Sequence, residues 1–228
     1  MKFTLENYLN NDIRELLVIY PGRFQPAHKN HAKVYNFLLN QFPRASVFIS
    51  TSNKIDLPNS PFTFEEKKMM LVASGIPEQA IIQTTNPYVA REITNKFSPE
   101  NTSLIFAVGG KDMEDTTDKQ TGKIIKPRFN FLPTKKGEPY FKPLSNLKKI
   151  TDKQVKYLDT FNLHGYVSAT PTFNFTLNIS GKKINIKSAS DIRNMYRNAS
   201  EAGRKIIITQ LYNNFNPQIY DLFNKRLF

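Results

Sequence analysis

Short apolar runs alternate with helical patterns through the first half of this chain, and this alternation constrains its fold more than any other feature. Four runs have the length and composition of strands in a sheet, at residues 16–20, 46–50, 80–83 and 103–108. The segments between them carry apolar residues at helical spacing and stop at Pro or Gly, at residues 34–42, 64–74 and 89–97. Because strands separated by helices form βαβ units, the sequence predicts an α/β fold, a parallel sheet with flanking helices.

Residues 115–160 interrupt this alternation. They combine several prolines with aromatic side chains and a high density of lysine and arginine. They are too aromatic for a plain disordered linker, and they predict an insertion, at about 115–160, in a single domain that spans residues 1–228. The elements predicted after it are a strand at 166–168, a hairpin from 177–179 and 183–186, and helices at 188–199, 201–213 and 217–225.

The positive charge of the chain is concentrated in the same part. The net charge is +13, and residues 119–156, which we call the basic segment, account for +9 of it. Its eleven basic residues are Lys119, Lys123, Lys126, Arg128, Lys135, Lys136, Lys142, Lys148, Lys149, Lys153 and Lys156. Excess positive charge favours anionic partners, and interleaved aromatic residues suit stacking on nucleic-acid bases. We favour a lid or structural flap over a nucleic-acid-binding segment.

Several classes of protein do not fit this sequence. The chain has no cysteine, so it forms neither disulfides nor a zinc–thiolate site. No apolar run approaches the roughly 18 residues of a membrane span, and residues 1–12 lack the features of a signal peptide. We therefore expect no membrane partner and a cytoplasmic location, which includes the cytoplasm of a host cell. No P-loop motif is present, and His164, which has no other histidine near it, is interpreted as structural.

The motif that carries most chemistry follows the first apolar run. Gly22-Arg23-Phe24-Gln25-Pro26 leads into His28 and His31, which lie three residues apart where a helix should begin. Gly22 allows a close backbone approach, Arg23 can pair with phosphate, and both histidines can donate hydrogen bonds to phosphate oxygens. Because a helix N-terminus also attracts anions, the motif predicts a polyphosphate site in an enzyme that handles nucleotides.

A second phosphate-binding pattern lies near the end of the chain. In Ser188-Ala189-Ser190-Asp191-Ile192-Arg193, Ser188 suits a helix N-cap and Asp191 lies three residues on, as in a capping box. Ser190 and the first N–H groups of the helix can hold phosphate, and Arg193 lies one turn further along. Taken alone, this pattern favours a capped helix without a ligand site; the first motif upstream shifts the prediction to a phosphate site.

A glycine pair follows the fourth strand-like run. Gly109-Gly110 precedes Lys111 and Asp112, and a glycine turn at the carboxyl end of a parallel strand fits a close nucleotide approach. We predict that Gly109 lies close to the nucleotide, with a plain strand-ending turn as the alternative. No group of His, Asp and Glu has metal-ligand spacing, so we predict no metal held by the protein.

The first motif resembles the signature of the nucleotidylyltransferase superfamily, in which His-x-x-His follows the first strand of a Rossmann-like sheet. The lead-in is most similar to that of the archaeal-type nicotinamide-mononucleotide adenylyltransferases, although Asn30 stands where this family commonly has glycine. The resemblance implies that His28 and His31 hold the triphosphate of ATP and that His31 stabilises the transition state. It also implies that Arg193, Ser188 and Ser190 hold the β and γ phosphates, and that Mg²⁺ arrives with ATP. Gly22, Arg23, Phe24, Gln25, Gly109 and Asp112 would line the nucleotide.

The segment after the second strand supports the resemblance. Asn59-Ser60-Pro61-Phe62-Thr63 is similar to the Asn-Pro-Phe-Thr motif of the same enzymes, and Lys67 stands where they often have arginine. Thr63 and Glu66 also have the spacing of a capping box.

The acceptor is left open between two branches of the superfamily. The resemblance implies transfer of AMP from ATP to a phosphate monoester such as nicotinamide mononucleotide, with release of pyrophosphate. The alternatives are a cytidylyltransferase that acts on a polyol phosphate and a nucleic-acid-binding protein on the same scaffold. The abundance of Asn, Lys and Ile would suit a phage-encoded member of the superfamily.

Overall fold

The structure is a computed structural model that describes residues 15–117, 122–129, 131–133, 137–144, 157–173, 175–179, 181–186 and 188–228. The N-terminal segment that we examined for a signal peptide lies outside the described residues. So do seven of the eleven basic residues of the basic segment, and only Lys123, Lys126, Arg128 and Lys142 are described.

Strands and helices alternate as the sequence predicts. The strands are β1 (Glu15–Pro21), β2 (Ser46–Thr51), β3 (Ile81–Gln83), β4 (Thr102–Val108), β5 (Thr116–Thr117), β6 (Ile124–Ile125), β7 (Phe141–Pro143), β8 (Gly165–Ala169), β9 (Phe175–Ile179) and β10 (Lys182–Ile186). The helices are α1 (Lys29–Gln41), α2 (Phe64–Ala73), α3 (Arg91–Thr94), α4 (Ala189–Asn198), α5 (Glu201–Tyr212) and α6 (Pro217–Leu227). Six strands form one sheet in the order β3-β2-β1-β4-β8-β7. The α/β Rossmann-like fold is confirmed.

Two compact units make up the chain. The first contains Met1–Pro21, Phe37–Phe48 and Tyr88–Pro171, and the second contains Gly22–Asn36, Ile49–Pro87 and Thr172–Phe228.

The core of the first unit is built around β4. All seven residues of β4 are buried, and parallel β1 and β8 flank it. A strand that is covered on both faces needs a continuous apolar sequence, which explains why β1 and β4 could be recognised. The helix predicted at 89–97 is shorter than expected. Ala90 has a left-handed backbone conformation (φ 50°), so the helix starts only at Arg91 and ends at Thr94.

The basic segment contributes to this core. Phe129 is 2% exposed, and its ring centroid lies 5.6 Å from that of Phe106 in β4 and 4.9 Å from that of Phe141. Phe141 begins β7, a short edge strand that pairs in parallel with β8. Opposite it, a Cβ at Gly165 would lie 2.9 Å from the Phe141 ring, so glycine is needed there. The described part of the segment is therefore packed onto the sheet through its aromatic residues.

The second unit contains residues 49–51 of β2, which pair in parallel with β3, the antiparallel hairpin of β9 and β10, and helices α2, α4, α5 and α6. The predicted capping boxes are confirmed: Thr63 with Glu66 starts α2, and Ser188 with Asp191 starts α4. The hairpin predicted from 177–179 and 183–186 is also confirmed, with two further residues in its first strand and one in its second.

Among the described residues, no helix combines the length and the apolar character that crossing a membrane requires.

Candidate functional site: a paired-histidine helix start

Residues 22–28, which we call the lead-in loop, are held in place by side chains from distant parts of the second unit. The Gln25 amide brackets the main chain of Phe62: its Nε2 donates to the Phe62 carbonyl, and its Oε1 accepts from the Phe62 N–H, both at 2.9 Å. Arg193 donates to the Gln25 carbonyl, and the Tyr212 hydroxyl donates to the Ala27 carbonyl at 2.7 Å. The side chain of Gln25 therefore positions the loop, and its place at the nucleotide stays a prediction.

Gly22 leaves room for the ring of Phe24, two residues further along the chain. A Cβ at Gly22 would lie 2.7 Å from the Phe24 ring, and Phe24 is buried with φ 49°. We expected Gly22 to allow a close approach by a ligand. In the structure the Phe24 ring lies against Gly22, and it packs edge-on against His31 with 4.9 Å between the ring centroids.

The two histidines close the first turn of α1 in the manner of a capping box. The Nδ1 atom of His28 accepts from the N–H of Asn30 at 3.3 Å, and the Nδ1 atom of His31 accepts from the N–H of His28 at 3.1 Å. The bond to His31 has the spacing of the Glu in a Ser-x-x-Glu capping box, whereas His28 accepts from the second residue of the helix rather than the third; imidazole nitrogens are the acceptors in both bonds. The same two side chains can therefore satisfy the helix start and face a ligand.

This arrangement fixes the tautomer of each histidine. An Nδ1 atom that accepts a hydrogen bond carries no proton, so each neutral ring carries its proton on Nε2. Burial lowers the pKa of His31 to about 4. Burial, together with His31 and Lys29, lowers the pKa of His28 well below its usual value. Both rings are partly exposed, and at neutral pH they present uncharged Nε2–H donors that have no partner among the described residues.

Arginine residues lie beside the lead-in loop. Arg193, which is 5% exposed, donates one Nη to the Gln25 carbonyl and the other to Ser190 Oγ. Burial, Arg197 and Arg23 together lower the pKa of Arg193. Arg23 is exposed, and no carboxylate pairs with Arg23 or Arg193 among the described residues. A group of guanidinium charges without carboxylates favours a bound anion.

The serines of the late motif are exposed and close to Arg193 in sequence. Ser188 Oγ accepts from the Asp191 N–H at 3.2 Å, and the Ser188 N–H donates to the Asp191 carboxylate at 2.9 Å. Ser190 Oγ accepts from Arg193 at 3.0 Å. Ser188 caps the helix, as its sequence position predicts, and Ser190 holds the Arg193 guanidinium.

Gly109 and Asp112 belong to the first unit. The Asp112 carboxylate accepts from Arg128 Nε at 2.9 Å, and the Arg128 guanidinium lies 4.5 Å from the centre of the Tyr88 ring. The side chain predicted to face the nucleotide thus anchors the basic segment. Sequence reasoning missed this pair because nothing in the local pattern links two residues that lie 16 positions apart in the chain.

Lys67 is a buried lysine near the end of β2, and the sequence-based prediction assigned it no role. Lys67 is 1% exposed, and its ammonium donates to Thr51 Oγ1 at 2.9 Å and to the Ser52 carbonyl. Burial lowers the pKa of Lys67 to about 8. Its signal in the sequence is a lysine among the apolar positions of α2, beside Phe64 and Met70, where a charged side chain is unusual.

Nitrogen NMR can identify the tautomer of each histidine directly, because the three histidines of the chain give few overlapping signals. At pH 7 we expect His28 and His31 to show unprotonated Nδ1 and protonated Nε2. Because burial lowers both pKa values, neither ring should gain a proton as the pH falls from 8 to about 5. A ring that titrates near 6.5, or that carries its proton on Nδ1, would contradict the capping geometry.

Comparison with known proteins identifies relatives. The profile of the family described as Cytidylyltransferase-like matches residues 19–193. Nicotinamide-nucleotide adenylyltransferase 1 of Sulfolobus acidocaldarius is 26% identical over 123 residues, which cover 49% of this chain and 69% of the relative.

Two enzymes are among the solved structures that match this chain. One is a bifunctional NMN adenylyltransferase/ADP ribose pyrophosphatase from Francisella tularensis, with 16% identity and a TM-score of 0.45; the match covers 93% of this chain and 49% of that chain. The other is Plasmodium falciparum nicotinic acid mononucleotide adenylyltransferase complexed with NaAD, with 15% identity and a TM-score of 0.46; the match covers 92% of this chain and 95% of that chain. The chain thus spans about half the length of the bifunctional protein.

Proposed function

Because this chain belongs to the cytidylyltransferase-like family, we propose that it is a nucleotidyltransferase that transfers AMP from ATP to a phosphate-monoester acceptor and releases pyrophosphate. The observation that carries the proposal is the helix start built from His28 and His31. It presents two uncharged N–H donors beside a loop that is pinned by Arg193. Donors of fixed direction, near guanidinium groups without carboxylates, suit a triphosphate.

The reaction needs positioning and charge stabilisation rather than a covalent enzyme intermediate. A phosphate oxygen of the acceptor forms a bond to the α-phosphorus of ATP. The bond from that phosphorus to the bridging oxygen of the β-phosphate breaks, and pyrophosphate leaves. Negative charge grows on the oxygens around the α-phosphorus and on the leaving group. We assign His28 and His31 to the triphosphate, with His31 at the α-phosphate, and Arg193, Arg23 and Ser190 to the β and γ phosphates.

A divalent cation fits this site only through the nucleotide. Among the described residues there is no group of three or more His, Asp and Glu side chains that could hold a metal ion. We propose that Mg²⁺ enters bound to the phosphates of ATP, where it neutralises their charge.

We propose nicotinamide mononucleotide as the acceptor. The lead-in Gly22–Pro26 and the Pro61–Thr63 segment have the adenylyltransferase pattern, and the relative from Sulfolobus is named a nicotinamide-nucleotide adenylyltransferase. Nucleic acid is less favoured, because two of the four described basic residues of the basic segment are already paired: Lys126 with Asp115 and Arg128 with Asp112.

A pyrophosphate-release assay tests this assignment. The purified chain is incubated with each of the four nucleoside triphosphates and with a panel of phosphate monoesters that includes nicotinamide mononucleotide, nicotinic acid mononucleotide and polyol phosphates. We expect turnover with ATP and nicotinamide mononucleotide, with NAD as the product identified by mass spectrometry. Turnover with CTP and a polyol phosphate, and none with ATP, would assign the chain to the cytidylyltransferase branch.

A further inference from the structure

The hairpin of β9 and β10 is a rigid part of the second unit. Its strands pair in antiparallel register from Phe175 opposite Ile186 to Ile179 opposite Lys182. Gln210 of α5 fastens it, since the Gln210 amide accepts from the Asn178 N–H at 2.7 Å and donates to the Asn178 carbonyl at 2.6 Å. Leu177 is fully buried. An element fastened to a helix in this way can hold one of its side chains in a fixed place.

That side chain is Phe175, the first residue of the hairpin. It is 5% exposed, and its ring lies nearly parallel to the His28 ring, with 12° between the planes and 5.2 Å between the centroids. The His31 ring lies on the His28 ring at 4.0 Å, and Phe24 packs against His31. The two histidines therefore stand in a column of four rings, with one phenylalanine at each end.

Asn30 ties this column to the hairpin entry. Its backbone N–H donates to His28 Nδ1 at 3.3 Å, and its side-chain Nδ2 donates to the Phe173 carbonyl at 3.0 Å. The residue is 8% exposed, so these bonds form away from bulk water. Asn30 thus holds both the Nδ1 edge of the His28 ring and the backbone carbonyl of Phe173, two residues before Phe175.

We propose that Phe175 is a positioning residue for His28, held in place by the hairpin and by the Asn30 tether; this inference rests on the proposed role of His28 at the triphosphate. The hydrogen bond at Nδ1 fixes the edge of the imidazole but leaves the ring plane free to tilt. The Phe175 and His31 rings, which both contact the His28 ring, remove that freedom, so Nε2–H points in a single direction. Misplacing a donor by about 1 Å can cost on the order of 100-fold in rate, which gives such a support its value.

The test is a double-mutant cycle in the full chain with Phe175→Leu and His28→Asn. Leucine keeps an apolar side chain but removes the flat ring, and asparagine keeps an N-cap acceptor while removing the imidazole. We expect Phe175→Leu to raise the KM for ATP about threefold to tenfold, in line with the strength of an aromatic pair. In the His28→Asn background the same change should have no further effect. Equal effects of Phe175→Leu in both backgrounds would overturn the proposal.

A second measurement, made without substrate, separates this proposal from the proposed function. NMR of the free chain should show the His28 ring losing its single orientation, read from its NOE contacts to the His31 ring, in Phe175→Leu, and also in Asn30→Ala, which cuts the tether and leaves the hairpin sequence intact. The Nε2–H tautomer should persist in both variants, because the Asn30 backbone N–H is retained. Unchanged His28 signals in both variants would overturn the positioning role. Unchanged ATP turnover in His28→Asn would instead count against the proposed function.

Leu177→Val is the matched control on the same hairpin. Leu177 is fully buried, so its truncation should lower the melting temperature while the KM for ATP and the orientation of the His28 ring stay unchanged. A change of ring orientation in this control would show that any loosening of the hairpin has the same effect, and it would remove the specific role of Phe175.

Discussion

Replacing His31 by glutamine should lower kcat by about 100- to 1000-fold while the chain stays folded. The loss follows from removing a fixed N–H donor at the α-phosphate, since single donors to developing charge have effects of this order. The fold should survive because glutamine is an accepted partner at the third position of a capping box, where its oxygen can accept from the His28 N–H as His31 Nδ1 does. Steady-state pyrophosphate release gives kcat, and thermal unfolding reports stability.

Two further variants separate catalysis from helix capping. His31→Ala removes both functions, so it should lose the same turnover and in addition about 1 kcal/mol of stability. His164→Gln applies the same substitution to the third histidine, which bonds to the Tyr166 hydroxyl at 3.0 Å in the first unit. It should keep its turnover even if its melting temperature falls. A kcat near normal in His31→Gln would show that the histidine is needed for the helix start alone.

The fold could be predicted because its two central strands, β1 and β4, are buried along almost their whole length. Residues 16–20 and 103–108 have no polar face to offer, and such runs between helical patterns allow few arrangements other than a parallel sheet. The edge strand Phe141–Pro143 carried no such signal. It is three residues long and contains lysine and proline, and it joins the sheet because Gly165 leaves room for the Phe141 ring.

The position of the site could be predicted from the sequence, but the hydrogen-bond partners of its side chains could not. The spacing of His28 and His31, after a strand and a glycine turn, indicates a phosphate site at a helix start. Both Nδ1 atoms accept hydrogen bonds from main-chain N–H groups. These bonds depend on the geometry of the first helical turn, which the spacing does not specify. The roles of Gln25 and Arg193 depend on partners 37 and 168 residues away along the chain, respectively. Long-range contacts of this kind leave no trace in a single sequence, so side chains that support the loop look like side chains that bind the ligand.

The second large effect is expected at Arg193, which supports the lead-in loop and which we assign to the β and γ phosphates. Arg193→Ala should weaken the binding of a non-hydrolysable ATP analogue by about tenfold to 100-fold, because a charge-assisted hydrogen bond is worth about 1.5–3 kcal/mol and each 1.4 kcal/mol is about tenfold in affinity. AMP, which lacks the β and γ phosphates, should lose much less. Calorimetry of both ligands measures the difference between them.

That difference separates a phosphate contact from a support of the loop. Removing the guanidinium also leaves the buried Gln25 carbonyl without its donor, which should lower the melting temperature and shift the lead-in loop for every ligand alike. Arg193→Lys keeps the charge but lacks the planar group that reaches both Gln25 and Ser190, so it should retain part of the preference for triphosphate. Arg197→Gln, one turn along α4 and bonded to the Leu227 carbonyl, is the control for net charge and should keep that preference. Equal losses for the ATP analogue and AMP in Arg193→Ala would assign Arg193 to the loop alone and leave Arg23 as the arginine of the triphosphate site.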